Sequence, residues 1–129
     1  MSNKDGYYYL ATPYTKFLGG QEAAFKEACR IAAKLMDAGL SIYSPIAHTH
    51  PIAQFTKSDP LDSAFWIKAD GPLMEGAAGL IVAMMAGWED SYGIGVEIDA
   101  FDKARKKILY LNPEDVEDLL YIHFGQTDV

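Results

Sequence analysis

The stretch GLIVAMM at residues 79–85, with GWEDSYGIGVEIDAF directly behind it, constrains the fold most. An almost continuous apolar run of that length suits a strand buried on both faces, as in the middle of a parallel sheet. The Gly- and Ser-containing turn after it opens an amphipathic helix. The same alternation occurs elsewhere in the chain. YYYLA (7–11), LSIYS (40–44) and KILYL (107–111) read as strands. Apolar residues at helical spacing run over 21–38, with Gly39 placed as a C′ residue. A further helix is expected after Asp59-Pro60, read as N-cap and N1, with an interruption at Asp70-Gly71-Pro72. Asn112-Pro113 is expected to cap a last helix reaching about residue 121. Pro45 is expected to end the second strand, and residues 46–59 read as a long loop. Strand and helix thus alternate four times. This predicts an α/β, flavodoxin-like parallel sheet of four to five strands, flanked by helices on both faces, in one domain over residues 1–129.

A net charge of −7 argues against a nucleic-acid backbone or an anionic membrane as the partner. No apolar run approaches 18 residues and the N-terminus MSNKDG is polar, so the expectation is a cytoplasmic protein without a membrane span. The single cysteine, Cys29, lies in a helical pattern and reads as a buried structural thiol, which leaves no disulfide framework and no cysteine-based zinc site.

In an open parallel sheet, ligands bind beyond the carboxyl ends of the strands. Those ends carry Thr12, Tyr14, Gly19 and Gly20, then His48 and His50, then Trp88, Ser91, Gly93 and Gly95. Gly93-Ile94-Gly95 is not a dinucleotide fingerprint, because position 98 is Ile, and no P-loop is present. His-Thr-His could offer two metal ligands, but i,i+2 side chains point apart in an extended segment and no third ligand is spaced nearby. No metal or cofactor is expected. On a helical wheel set to zero at Ile94, Ile98, Phe101 and Arg105 fall within about 40° and Glu97 at about 60°. Glu97 therefore sits on the shoulder of the apolar stripe near a positive helix end, which suits a nucleophile or base as well as a simple dipole partner. Asp70 reads either as a turn residue or as a second polar group near Glu97. Tyr9 fits core, and Trp88 fits a lid over a flat ring or a surface plug.

Six segments together resemble the nucleoside 2-deoxyribosyltransferase-like superfamily, including the 2′-deoxynucleoside 5′-phosphate N-hydrolases. They are YYLATPYT, GGQEAAF, SPIAHTHPIA, DPLDSAFW, DGPLMEGAAGLIV and GWEDSYGIGVEIDAF. The most specific piece is S-x-G-x-G-x-E from Ser91 to Glu97. The resemblance implies cleavage of an N-glycosidic bond, with Glu97 as nucleophile, Tyr9 orienting it, and Asp70 assisting the leaving base or binding the sugar. It also implies that Ser91, rather than an acidic residue, favours a nucleoside 5′-monophosphate, with Tyr14, Trp66 or Trp88 stacking on the base. The function expected is therefore N-glycosidase hydrolysis of (deoxy)nucleoside 5′-monophosphates. The alternatives are base exchange on nucleosides and binding without turnover. Members of that superfamily usually complete their sites across a subunit interface, so a homodimer or larger homo-oligomer is implied.

Overall fold

The computed structural model describes residues 6–59 and 62–115. Four strands form one sheet, β1 (Tyr8–Ala11), β2 (Ile42–Tyr43), β3 (Gly79–Ala83) and β4 (Lys107–Leu111), in the order β2-β1-β3-β4. All three pairings are parallel, with Tyr9 opposite Tyr43 and Leu80, and Leu80 opposite Ile108. The α/β, flavodoxin-like expectation holds. β3 is buried at every position, as its unbroken apolar run requires.

Alternation along the strands splits the core in two. Tyr8, Leu10, Ile81, Leu109 and Leu111 face α1 (Gln21–Asp37), which contributes Ile31, Ala32 and Leu35. Tyr9, Ala11, Leu80 and Val82 face the opposite way, onto Met74 of α3 (Ser63–Gly76) and Ile94 and Phe101 of α4 (Tyr92–Lys103). α1 ends in a Schellman closure. Gly39, at φ 102°, donates to the Met36 carbonyl and Leu40 to the Leu35 carbonyl. Cys29 is half-buried and free, rather than fully buried as its pattern suggested.

Four local expectations are corrected. Residues 46–59 are not one loop, because α2 (Pro45–Ile52) begins at the proline expected only to stop a strand. Ser44 is its N-cap, accepting from the Ala47 amide at 3.2 Å, and Pro45 takes the N1 position, where a missing N–H costs nothing. The α3 cap is Asp62, accepting from the Phe65 amide at 3.2 Å, rather than Asp59; Pro60 lies outside the described residues. α3 then runs unbroken through Pro72. Losing one hydrogen bond is tolerated there because Ile67, Leu73 and Met74 on either side pack into the core. Finally, Arg105 lies beyond the end of α4 at φ 59°, so it is exposed rather than part of the buried stripe. After β4, a short 3₁₀ turn covers Pro113–Asp115, with the Asn112 side chain accepting from the Glu114 amide; the rest of the expected last helix lies outside the described residues. Among the described residues no helix is long and apolar enough to cross a membrane.

Candidate functional site

The chain leaves β1 toward β2 on one side and β3 toward β4 on the other, which opens a crevice at the carboxyl ends of β1 and β3. A cleft of about 120 Å³ occupies that place. Tyr9, Thr12 and Tyr14 reach it from β1 and the loop after it, His50 from α2, Trp66 and Asp70 from α3, and Ser91, Gly93 and Glu97 from the start of α4. Gly19, Gly20, His48, Trp88 and Gly95 do not line it. Gly20 instead caps α1, and Trp88 packs on the core and on Tyr110, with ring centroids 5.9 Å apart. That is the surface-plug reading of Trp88 rather than the lid.

Helical spacing explains why two acids point inward. Glu97 has Ile94 three residues before it and Phe101 four after, both nearly inaccessible, so anchoring them turns Glu97 toward the cleft. Asp70 has Ile67, Leu73 and Met74 at −3, +3 and +4, all on the same core, and is itself only 8% exposed. Glu97 is half-buried in the wall of the cleft. That enclosure pushes its carboxyl up to about 8; the Tyr9 phenol draws it back, and the charge of Asp70 pushes it further up. The Tyr9 hydroxyl is buried and has no hydrogen bond of regular geometry among the described residues. Burial first, then the charges of Glu97 and Asp70, holds that phenol far above its ordinary range. A donor left loosely placed beside a carboxylate is what a site awaiting its ligand often shows.

Asp70 is held by a residue the sequence reading missed. The Tyr43 hydroxyl donates to Asp70 Oδ1 at 3.3 Å and meets His48 Nδ1 at 3.2 Å. Because its single proton goes to the carboxylate, His48 Nδ1–H is the donor in the second contact. Burial raises the Asp70 carboxyl, while Tyr43 and His48 lower it. His50, two residues on, is committed elsewhere: Nδ1 lies 2.6 Å from the Tyr14 hydroxyl and Nε2 lies 2.9 Å from Glu22 Oε1. On a helix, i,i+2 side chains diverge by about 200°, so the two imidazoles serve opposite sides. Among the described residues no group of three acids, histidines or cysteines is placed to hold a metal ion.

Two groups that hold cleft residues from behind, Tyr43 and Glu22, were not singled out from the sequence. Tyr43 could have been found, since it pairs in register with Tyr9 at the end of a parallel neighbour. Glu22 could not, because nothing in its spacing links it to a histidine 28 residues away. Thr12 was anticipated; its Oγ1 is buried at the cleft without a hydrogen-bond partner among the described residues.

The family model for DUF1937, a domain of unknown function, matches residues 6–112. The chain belongs to the DUF1937 family. No curated protein matches it. The match spans every strand and helix named above, so the cleft of this DUF1937 chain is built entirely from the family's own domain.

A charge test follows from the acid pair. In Asp70→Asn the negative charge that pushes Glu97 up is gone, so Glu97 titrates at lower pH than in the parent chain. A carboxyl-carbon NMR titration of both proteins reads this directly, and an unmoved Glu97 midpoint would separate the two groups electrostatically.

Proposed function

We propose that this chain is an N-glycosidase that hydrolyses the base–sugar bond of (deoxy)nucleoside 5′-monophosphates, with Glu97 as nucleophile. The observation that carries the reading is the meeting of Glu97, Tyr9 and Asp70 in one cleft, with aromatic, hydroxyl and aliphatic side chains around them. Cleavage of an N-glycosidic bond passes through an oxocarbenium-like state. A carboxylate beside the anomeric carbon stabilises that state and then traps it as a glycosyl ester, which water opens. Tyr9 orients Glu97 through its free hydroxyl, and Asp70 binds the sugar. Tyr14, Trp66 and Tyr92 offer rings against which a flat base can stack. At the start of α4 the Ser91 hydroxyl accepts from the Ile94 amide at 3.2 Å, which leaves its own proton for a phosphate oxygen beside the unpartnered Thr12 hydroxyl.

A second reading is base exchange on uncharged nucleosides. It is favoured by the cleft lining, which among the described residues includes two carboxylates and neither lysine nor arginine. Base release from a panel of nucleosides and 5′-monophosphates, with and without an added acceptor base, distinguishes the two. Release from monophosphates without an acceptor supports hydrolysis, and release that requires an acceptor supports exchange. Release from no compound, under conditions where the same compounds bind, would leave a nucleotide-binding protein.

A further inference from the structure

A third set of polar side chains has no part in the trio just described. Glu22 of α1, His50 of α2 and Tyr14 of the loop after β1 form a chain of two short contacts, 2.9 Å and 2.6 Å. The Phe25 ring stacks on the imidazole at 4.5 Å between centroids and 23° between planes, which fixes its orientation. The chain runs from solvent into the cleft: the Glu22 side chain is 64% exposed, that of His50 only 13%, and Tyr14 and His50 both line the cavity.

We propose that Tyr14, supplied by His50 and Glu22, is the proton donor to the departing base. The inference rests on the N-glycosidase reading and deepens it. A nucleophile attacks the anomeric carbon from the side opposite the leaving group, so the acid that serves the base stands across the cleft from Glu97. Asp70 does not stand there, since it rises from α3, in the helix layer that also carries Glu97. His50 is instead fastened to α1, which covers the other face of the sheet.

The step balances as follows. With the imidazole doubly protonated beside the Glu22 carboxylate, His50 Nδ1–H donates to the Tyr14 oxygen and the Tyr14 O–H points into the cleft. Glu97, having given up its own proton to solvent, bonds through a carboxylate oxygen to the anomeric carbon as the carbon–nitrogen bond breaks, and that electron pair goes to the base nitrogen. The Tyr14 proton moves to the base while the His50 Nδ1 proton replaces it, leaving a neutral imidazole whose Nε2–H still faces Glu22. Water then opens the ester, Glu97 leaves as carboxylate, and the released proton returns to His50 through solvent at the exposed Glu22 end.

The test uses two leaving groups on the intact chain. A deoxynucleoside 5′-monophosphate needs its base protonated, whereas 4-nitrophenyl 2-deoxyriboside 5-phosphate loses a stable phenolate that needs no proton. Tyr14→Phe and His50→Gln are expected to slow base release about 100-fold or more. The same variants should release nitrophenolate within about threefold of the parent, which also shows that they fold. Glu22→Gln should follow the same selectivity with a smaller loss. Equal slowing of both substrates, or of neither, overturns the role of Tyr14 while leaving the glycosidase reading intact. Failure of the parent chain to release either leaving group overturns that reading and this inference with it.

Discussion

Glu97→Gln is expected to abolish the proposed base release and, at alkaline pH, to make the protein more stable. The loss of activity is expected to be about a thousandfold or more, because an amide cannot form the glycosyl ester and what remains is binding and orientation alone. The stability change follows from the raised carboxyl. With its pKa moved from 4.5 to about 8, Glu97 keeps its proton in the folded chain over a range where the unfolded chain has lost it. Across that window folding takes up a proton, so the stability of the parent falls as pH rises from 4.5 through 8, and the penalty is complete above 8. Glutamine carries no such penalty. Allowing for water that reaches the carboxyl through the cleft, the variant should gain about 2 kcal/mol at pH 9 and nothing at pH 4. Urea unfolding at the two pH values, paired with the base-release assay, checks both halves. A carboxyl that merely complements the helix dipole would give the opposite stability sign and leave release untouched.

Gly87→Ala is expected to lower the melting temperature by about 10 °C or more and to weaken substrate binding. Gly87 follows β3 at φ 90°, and a β-carbon there would stand 2.1 Å from the Lys16 carbonyl oxygen. Positive φ costs an alanine about 1–2 kcal/mol, and forcing the Lys16 backbone away adds about 1–3 kcal/mol. The clash acts on the approach of two loops, one carrying Tyr14 and the other leading to Ser91. KM in the base-release assay should therefore rise along with the fall in thermal stability. Gly20→Ala is the control: φ is 92°, but nothing lies within 4 Å of the added carbon, so only the backbone strain remains. Equal effects of the two substitutions would refute the loop-contact account.

How much of this was legible in the chain depends on the range of the interaction. The unbroken apolar run of β3 and the position of Gly39 report local physics, and both stand in the structure as read. Glu97 was legible for the same reason, since its neighbours at −3 and +4 are apolar and a helix places them on one face. Asp70 could have been read that way too, had Pro72 not suggested a break. α2 was missed because its apolar and polar residues do not separate into faces, so periodicity is silent and only the Ser44-Pro45 pair marks its start.

The sequence by itself determined the α/β alternation, the buried central strand and the inward turn of one acid, because burial and helical or strand period act between residues a few positions apart. Tertiary structure alone decided that Tyr9 and Asp70 stand with Glu97, that Tyr43 holds Asp70, and that Glu22, His50 and Tyr14 form a chain into the cleft. Those contacts join residues from 27 positions apart, as Tyr43 and Asp70 are, to the far longer separation of Tyr9 and Glu97. Their meeting depends on the order β2-β1-β3-β4, which places the ends of β1 and β3 side by side at one crevice.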